Sequence, residues 1–233
     1  MRITKKLENL QKKIQLQFKN IELLETAFVH RSYHNENRDF SLPSNEKLEF
    51  LGDSVLSLVT SIHLYKTYPE YKEGDYTDIK ASIVNTTSLY EAASILGLGE
   101  YLYLSKGEQD NNGRENISIL ADCFEAVIGA IYLEHGFEVA YVFINTFLFK
   151  DVLNNIVTKR LYLPAKNILQ EHYQEKYKKL PVYKVLDETG PEHSKTYKVG
   201  VFDNDDMLGE GSGKSKKQGE EEAARGALQK LGI

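Results

Sequence analysis

Residues Asn45 to Ile62 read NEKLEFLGDSVLSLVTSI. Wound as a helix at about 100° per residue, the stretch puts Glu46, Glu49 and Asp53 within roughly 60° of one another. On this wheel Leu48, Leu51, Val55, Leu58, Val59 and Ile62 gather on the opposite face. The pattern predicts an amphipathic helix whose polar stripe is made of carboxylates. Like charges at these spacings cost a helix roughly a few tenths of a kcal/mol per pair, and no lysine shares the stripe to offset them. A bound cation would relieve the repulsion. So would hydration of a plain surface stripe, and this helix alone leaves both readings open.

A second run repeats the device. In ADCFEAVIGAIYLEHG, from Ala121 to Gly136, Asp122 and Glu125 share a face and Gly129 comes next on it. A position without a side chain lets another backbone or a ligand come close. Both stripes lie on strongly apolar helices that must pack, so the two together favour an acid cluster over two solvated faces. Hard oxygen donors with neither His nor Cys among them suit magnesium or manganese better than zinc. Cys123 reads as a buried small apolar residue, and His30 and His34 read as core or loop histidines rather than general bases.

From Leu7 to about Phe149 apolar residues recur at three- and four-residue steps, which predicts an all-α domain over residues 1–158. Its loops are expected at Asn35 to Ser44, Tyr68 to Asp75 and Ser105 to Asn116, all rich in turn formers. The texture changes near Lys159, and Pro164 suits the first turn of a new helix. Residues 159–233 then predict an α+β domain of order α-β-β-β-α. Its parts are a helix from Ala165 to Lys178, strands at Pro181 to Asp187, Lys195 to Phe202 and Met207 to Glu210, and a helix from Ser215 to Leu231.

The chain has 233 residues, 41% of them hydrophobic, and a net charge of −5. A negative total argues at first against a nucleic-acid partner, but it is unevenly placed. Residues 151–233 hold 14 Lys and Arg against 13 Asp and Glu, while residues 1–150 hold 15 against 21. A single cysteine excludes an intramolecular disulfide and a thiolate zinc cluster, in keeping with a reducing compartment. The opening MRITKKLENLQKKIQLQF is neither a leader nor a span, so a soluble cytoplasmic protein with no membrane partner is expected. LGEGSGKS, from Leu208 to Ser215, imitates a nucleotide-binding P-loop. Leu208 stands where the first glycine is required and no parallel α/β core surrounds it, so no nucleotide cofactor is expected.

NEKLEFLGDSVL resembles the signature of the ribonuclease III family, with Lys47 and Ser54 at positions where members vary. AFVHRSY, YKEGD, NGREN and ILADCFEAVIGAIYLEHG are similar to further family segments in the expected order, and residues 159–233 resemble a double-stranded RNA-binding domain. The resemblance implies an endonuclease that hydrolyses double-stranded RNA with Mg2+, or Mn2+ in its place. Glu49, Asp53, Asp122 and Glu125 would hold the metal, with Asp53 and Glu125 at the chemistry, and Glu46 and Glu73 would lie near the cleavage site and the subunit contact. It further implies 5′-phosphate and 3′-hydroxyl ends, short 3′ overhangs, a homodimer, and substrates such as ribosomal RNA precursors. Phe50 fits the dimer interface because the wheel places it beside the acids and off the apolar face.

In the second domain the expected RNA contacts are Asn167, Gln170 and Glu171 on the first helix and Pro191 and His193 in a turn. Lys214, Lys216 and Lys217 are expected to meet phosphates at the start of the last helix, where free N–H groups already favour an anion. A non-catalytic RNA-binding protein on the same scaffold is the main rival, which loss of a metal acid would favour; none is lost. A phosphatase acting on small substrates would leave the second domain without a purpose.

Overall fold

A computed structural model describes residues 4–158, 160, 162–191 and 194–233. The chain divides into two compact units, one ending at Tyr162 and the other beginning at Leu163. Lys159, where the composition shifts, lies outside the described residues.

The first unit is helical: α1 (Thr4–Ile14), α2 (Ile21–Thr26), α3 (Tyr33–Glu36), α4 (Glu46–Thr67), α5 (Glu73–Ile83), α6 (Thr86–Leu96), α7 (Lys106–Asp110), α8 (Ile117–His135) and α9 (Phe137–Ile144). A wider-wound segment, Asn145–Leu153, leads into α10 (Asn154–Thr158). Helix α8 is the centre of the core, with Phe124, Val127, Ile128 and Ile131 wholly buried. Asn116 starts it by accepting from the backbone N–H groups of Ser118 and Ile119, and the positive φ of Gly136 ends it.

The packing of α4 on α8 is the most extensive between any two helices. Two glycines explain its closeness: a β-carbon on Gly52 would lie 1.8 Å from the Glu125 carbonyl oxygen, and one on Gly129 would lie 2.2 Å from that of Leu48. Backbone therefore meets backbone at the crossing.

The buried face of α4 carries Leu48, Gly52, Val55, Leu56, Val59, Thr60 and Leu64. This corrects the wheel at Leu58, which is 52% exposed, and at Leu51 and Ile62, which are only half-buried. The helix has two apolar sides, and a single-face reading merges them. The stretch from Ser105 to Asn116, expected as loop, contains α7 and a short 3-10 turn, Gly113–Glu115. Helix α5 begins at Glu73, inside the loop expected from Tyr68 to Asp75. Among the described residues no helix is long and apolar enough to cross a membrane.

The second unit runs α11 (Ala165–Tyr177), β1 (Val182–Thr189), β2 (Thr196–Asp203), β3 (Asp206–Gly213) and α12 (Lys216–Leu231), the strands forming one antiparallel sheet in sequence order. Pro164 precedes α11 as its cap rather than sitting within its first turn. Leu169, Tyr173, Val199, Val201, Ala223, Ala224 and Ala227 make the core between helices and sheet.

Strand β3 continues to Gly213, past the expected end at Glu210. Alternate residues of a strand share a face, and Gly209, Gly211 and Gly213 all turn toward α12. β-carbons there would come within 2.5 Å of Ala223 O, 2.3 Å of Ala223 N and 2.6 Å of Gln218 Cβ. The glycines of the P-loop look-alike are thus taken up by helix-on-strand packing.

Candidate functional site

The acids of α4 and α8 flank the glycine crossing. Glu49, Asp122 and Glu125 each offer a carboxylate oxygen, and the three atoms lie within 4.8 Å of one another on half-buried side chains. Asp53, one turn beyond Glu49, is exposed and still acts on Glu125 through space.

Burial, followed by repulsion from Asp53, Glu49 and Asp122, pushes the Glu125 carboxyl up to about 8. Glu49 is raised by burial and then by Asp122 and Glu46. Asp122 is raised by burial, against which His30 and Arg31 pull it down. Partly desolvated carboxylates this close cannot all be charged without a compensating cation. Three hard oxygen donors converging under mutual repulsion fit a divalent metal ion.

Residues 27–32 form one wall of the site. Asn45 donates from its backbone to Val29 O at 2.8 Å and from its side chain to Ala27 O at 3.3 Å, which sets the start of α4. Cys123, fully buried, points its thiol at the same Ala27 carbonyl, and burial pushes that thiol far up. Ser44 donates to Glu46 at 2.8 Å, and Arg31 approaches Glu46 at 3.9 Å. Glu73, the first residue of α5, takes a hydrogen bond from Thr77 and is not among the groups acting on Glu49 or Glu125.

His34 lies against Phe40 at 6.2 Å with a buried, unpartnered Nε2. His30 is half-buried and interacts with Asp122 and Glu46. Its place at the cluster, with Arg31 beside it, is not deducible from spacing, because the segment reaches the acids through a turn and not along a helix.

Phe50 is 78% exposed, and Leu58 and Tyr65 on the same helix are 52% and 74% exposed. At about 100° per residue the three fall within roughly 80° of one another, a line of uncovered apolar side chains beside the acids.

In the second unit Asn167, Gln170 and Glu171 line an open groove of about 490 Å3 with Gln174 and Glu175. Lys214, Lys216 and Lys217 are all exposed around the start of α12. Ser215 caps that helix by accepting from Gln218 N at 3.2 Å, and the Gln218 side chain accepts from Lys214 N at 2.9 Å. Lys216 also approaches Glu188 at 3.5 Å and the Tyr197 ring at 5.6 Å. Pro191 is exposed and its carbonyl accepts from Ser194 N at 2.8 Å; His193 lies outside the described residues.

A helical unit with a cation-ready acid cluster, followed by an α-β-β-β-α unit with a lysine-lined helix start, defines a two-domain nucleic-acid enzyme. Residues 20–152 match the Ribonuclease-III-like family model, and residues 165–231 match the double-stranded RNA binding motif. A ribonuclease 3 from Treponema denticola is 41% identical over 97% of this chain and 91% of its own length. One from Leptospira interrogans is 43% identical over 94% and 88%. The nuclease domain of ribonuclease III from Campylobacter jejuni, a structure described for flexibility in a region involved in dimer formation, is 38% identical. It superposes with a TM-score of 0.58 over 63% of this chain and 98% of that one. The chain belongs to the ribonuclease III family of endoribonucleases.

Proposed function

We propose that this chain is a magnesium-dependent endoribonuclease that cuts both strands of duplex RNA as a homodimer, leaving 5′-phosphate and 3′-hydroxyl ends with short 3′ overhangs. The observation that carries the reading is the convergence of Glu49, Asp122 and Glu125, with Asp53 at its exposed edge. These four residues would hold the ion, Mn2+ serving in place of Mg2+. When bound, the divalent ion supplies Lewis acidity and a water acidic enough to attack at neutral pH.

The protein groups divide the remaining work. Glu125, already raised by its neighbours, gains most from a cation and is the acid on which the site depends. Asp53, exposed and one turn from Glu49, faces the solvent from which RNA and water arrive. Glu46 and Glu73 are proposed as outlying acids of the cleavage site and subunit contact. The line from Phe50 through Leu58 to Tyr65 offers an apolar strip for a second copy, whose own site would cut the opposite strand. In the second unit, Asn167, Gln170 and Glu171 suit a minor groove, Pro191 and His193 a second one, and Lys214, Lys216 and Lys217 the intervening phosphates. Processing of ribosomal RNA precursors and other structured transcripts in the cytoplasm is the proposed role, supported by similarity to bacterial ribonucleases 3.

Incubation with long duplex RNA and Mg2+ is expected to give short duplex products. Glu125→Gln is expected to abolish cleavage while RNA binding in a gel-shift assay stays within about twofold; cleavage that survives it would overturn the assigned site.

A further inference from the structure

The wall of the acid cluster presents one cationic side chain for which the fold has little use. Arg31 is 75% exposed, and its contact with Glu46 is a single pair at 3.9 Å between exposed groups. Such a pair contributes little to stability. The backbone on either side of Arg31, in contrast, is fixed. His30 N donates to Tyr103 O at 3.2 Å, Tyr33 N donates to His30 O at 3.0 Å, and Val29 bridges Tyr103.

Ser32 is buried, and its hydroxyl accepts from Ser105 N at 3.1 Å. Its own proton is then available to His30 Nδ1, 2.7 Å away, which also accepts from Ser32 N at 3.3 Å. With Nδ1 an acceptor twice over, the neutral imidazole carries its proton on Nε2. The turn that bears Arg31 is thus braced to α7's entry loop through hydrogen bonds that specify even a tautomer.

We infer that Arg31 is a further RNA-contacting residue of the cleavage site, its guanidinium taking a phosphate oxygen of the strand lying against the acid cluster, with His30 and Ser32 as the brace that aims it. The inference rests on the cleavage activity proposed above. A polyanion approaching a ring of carboxylates needs donors at the rim as well as a cation within. A guanidinium presents a planar fork that matches phosphate oxygens. Arg31 also stands 3.9 Å from Glu46, which shares the first turn of α4 with Glu49, so its charge sits at the rim of the acid cluster where a phosphate would arrive.

The test uses the full chain with Mg2+ and a short duplex, reading kcat/KM across a range of salt concentrations. Arg31→Gln is expected to lower kcat/KM by about ten- to a hundredfold. It should also reduce the slope of log kcat/KM against log salt by about one, the signature of one lost phosphate contact. Arg31→Lys should keep the slope and recover only part of the rate, since an ammonium has charge without the fork.

In a Glu46→Gln background Arg31→Gln should cost the same factor, because its partner is RNA. An unchanged slope, or no effect once Glu46 is Gln, would reduce Arg31 to a partner of Glu46 and overturn the inference. Should Arg31→Gln lower the unfolding temperature, Arg31→Lys decides: a retained slope supports the contact and a lost one removes it. Failure of the wild-type chain to cut duplex RNA would instead sink the activity itself.

Discussion

Both units bring backbone against backbone through glycine, yet they treat charge in opposite ways. At Gly52 and Gly129 two helices touch, and the acids beside the contact are pressed into a half-buried group of like charges. At Gly209, Gly211 and Gly213 a strand touches a helix, and the lysines just beyond it stay in solvent. The carboxylates repel one another and would separate if the frame allowed, so the core of α8 must hold them. The lysines need no such restraint, because their value lies in being reachable. A site for chemistry is therefore paid for by its surroundings, whereas a site for phosphate binding is nearly free of cost to the fold.

The largest test of this contrast is Gly52→Ala, whose methyl would fall 1.8 Å from the Glu125 carbonyl oxygen. Separation of α4 from α8 should cost about 1–3 kcal/mol in denaturant unfolding and reduce cleavage at least a hundredfold; normal cleavage would show that the close crossing does not hold the acids. Next comes the pH dependence of the metal-free protein. The Glu125 carboxyl is raised from an ordinary 4.5 to about 8 in the folded chain, so its protonated form stabilises the fold fully below about 4.5. That contribution is lost as pH rises through about 8. Thermal midpoints should fall across this window, Glu125→Gln should flatten the fall, and Mg2+ should oppose it in the wild type only.

The basic side of the contrast predicts smaller effects on the fold. Changing Lys214, Lys216 and Lys217 together to Ala should weaken duplex binding about tenfold or more at moderate salt and flatten its salt dependence. The unfolding midpoint should not move, and a lowered one would show that these lysines serve the fold after all. Smaller than that loss of binding is the effect of Ser215→Ala, which removes the cap of α12 and should cost about 1 kcal/mol in equilibrium unfolding; a loss much above that would mean the hydroxyl does more than accept from Gln218.

The architecture is legible in the chain because its two halves obey different periods, and the pairing of acids is legible because three- and four-residue steps put them on one side of a helix. Depth is harder to read. Leu58 fits the apolar wheel as well as Val55 does, but α4 has more apolar residues than one face can bury, and only the packed partner decides which remain outside. Gly129 follows its acids at helical spacing and announces a close approach, whereas Gly52 sits beside Asp53 in a stretch that reads equally well without it. The end of β3 is obscured for a related reason. Its last glycines look like a turn until α12 lies on them. His30 and Arg31 are the residues that sequence spacing cannot assign to the site, since three-dimensional adjacency alone brings their turn to the acids.

The placement of Cys123 has a practical side. Its thiol is the only one in the chain, is wholly inaccessible and is held in its protonated form by burial. Alkylating reagents and mild oxidants should leave the native protein untouched. A cysteine introduced on the surface, for instance in place of the exposed Glu91 on α6, would then be the single reactive handle for a fluorophore or a crosslinker. The buried thiol would become a built-in reporter of unfolding, modified only when the core opens.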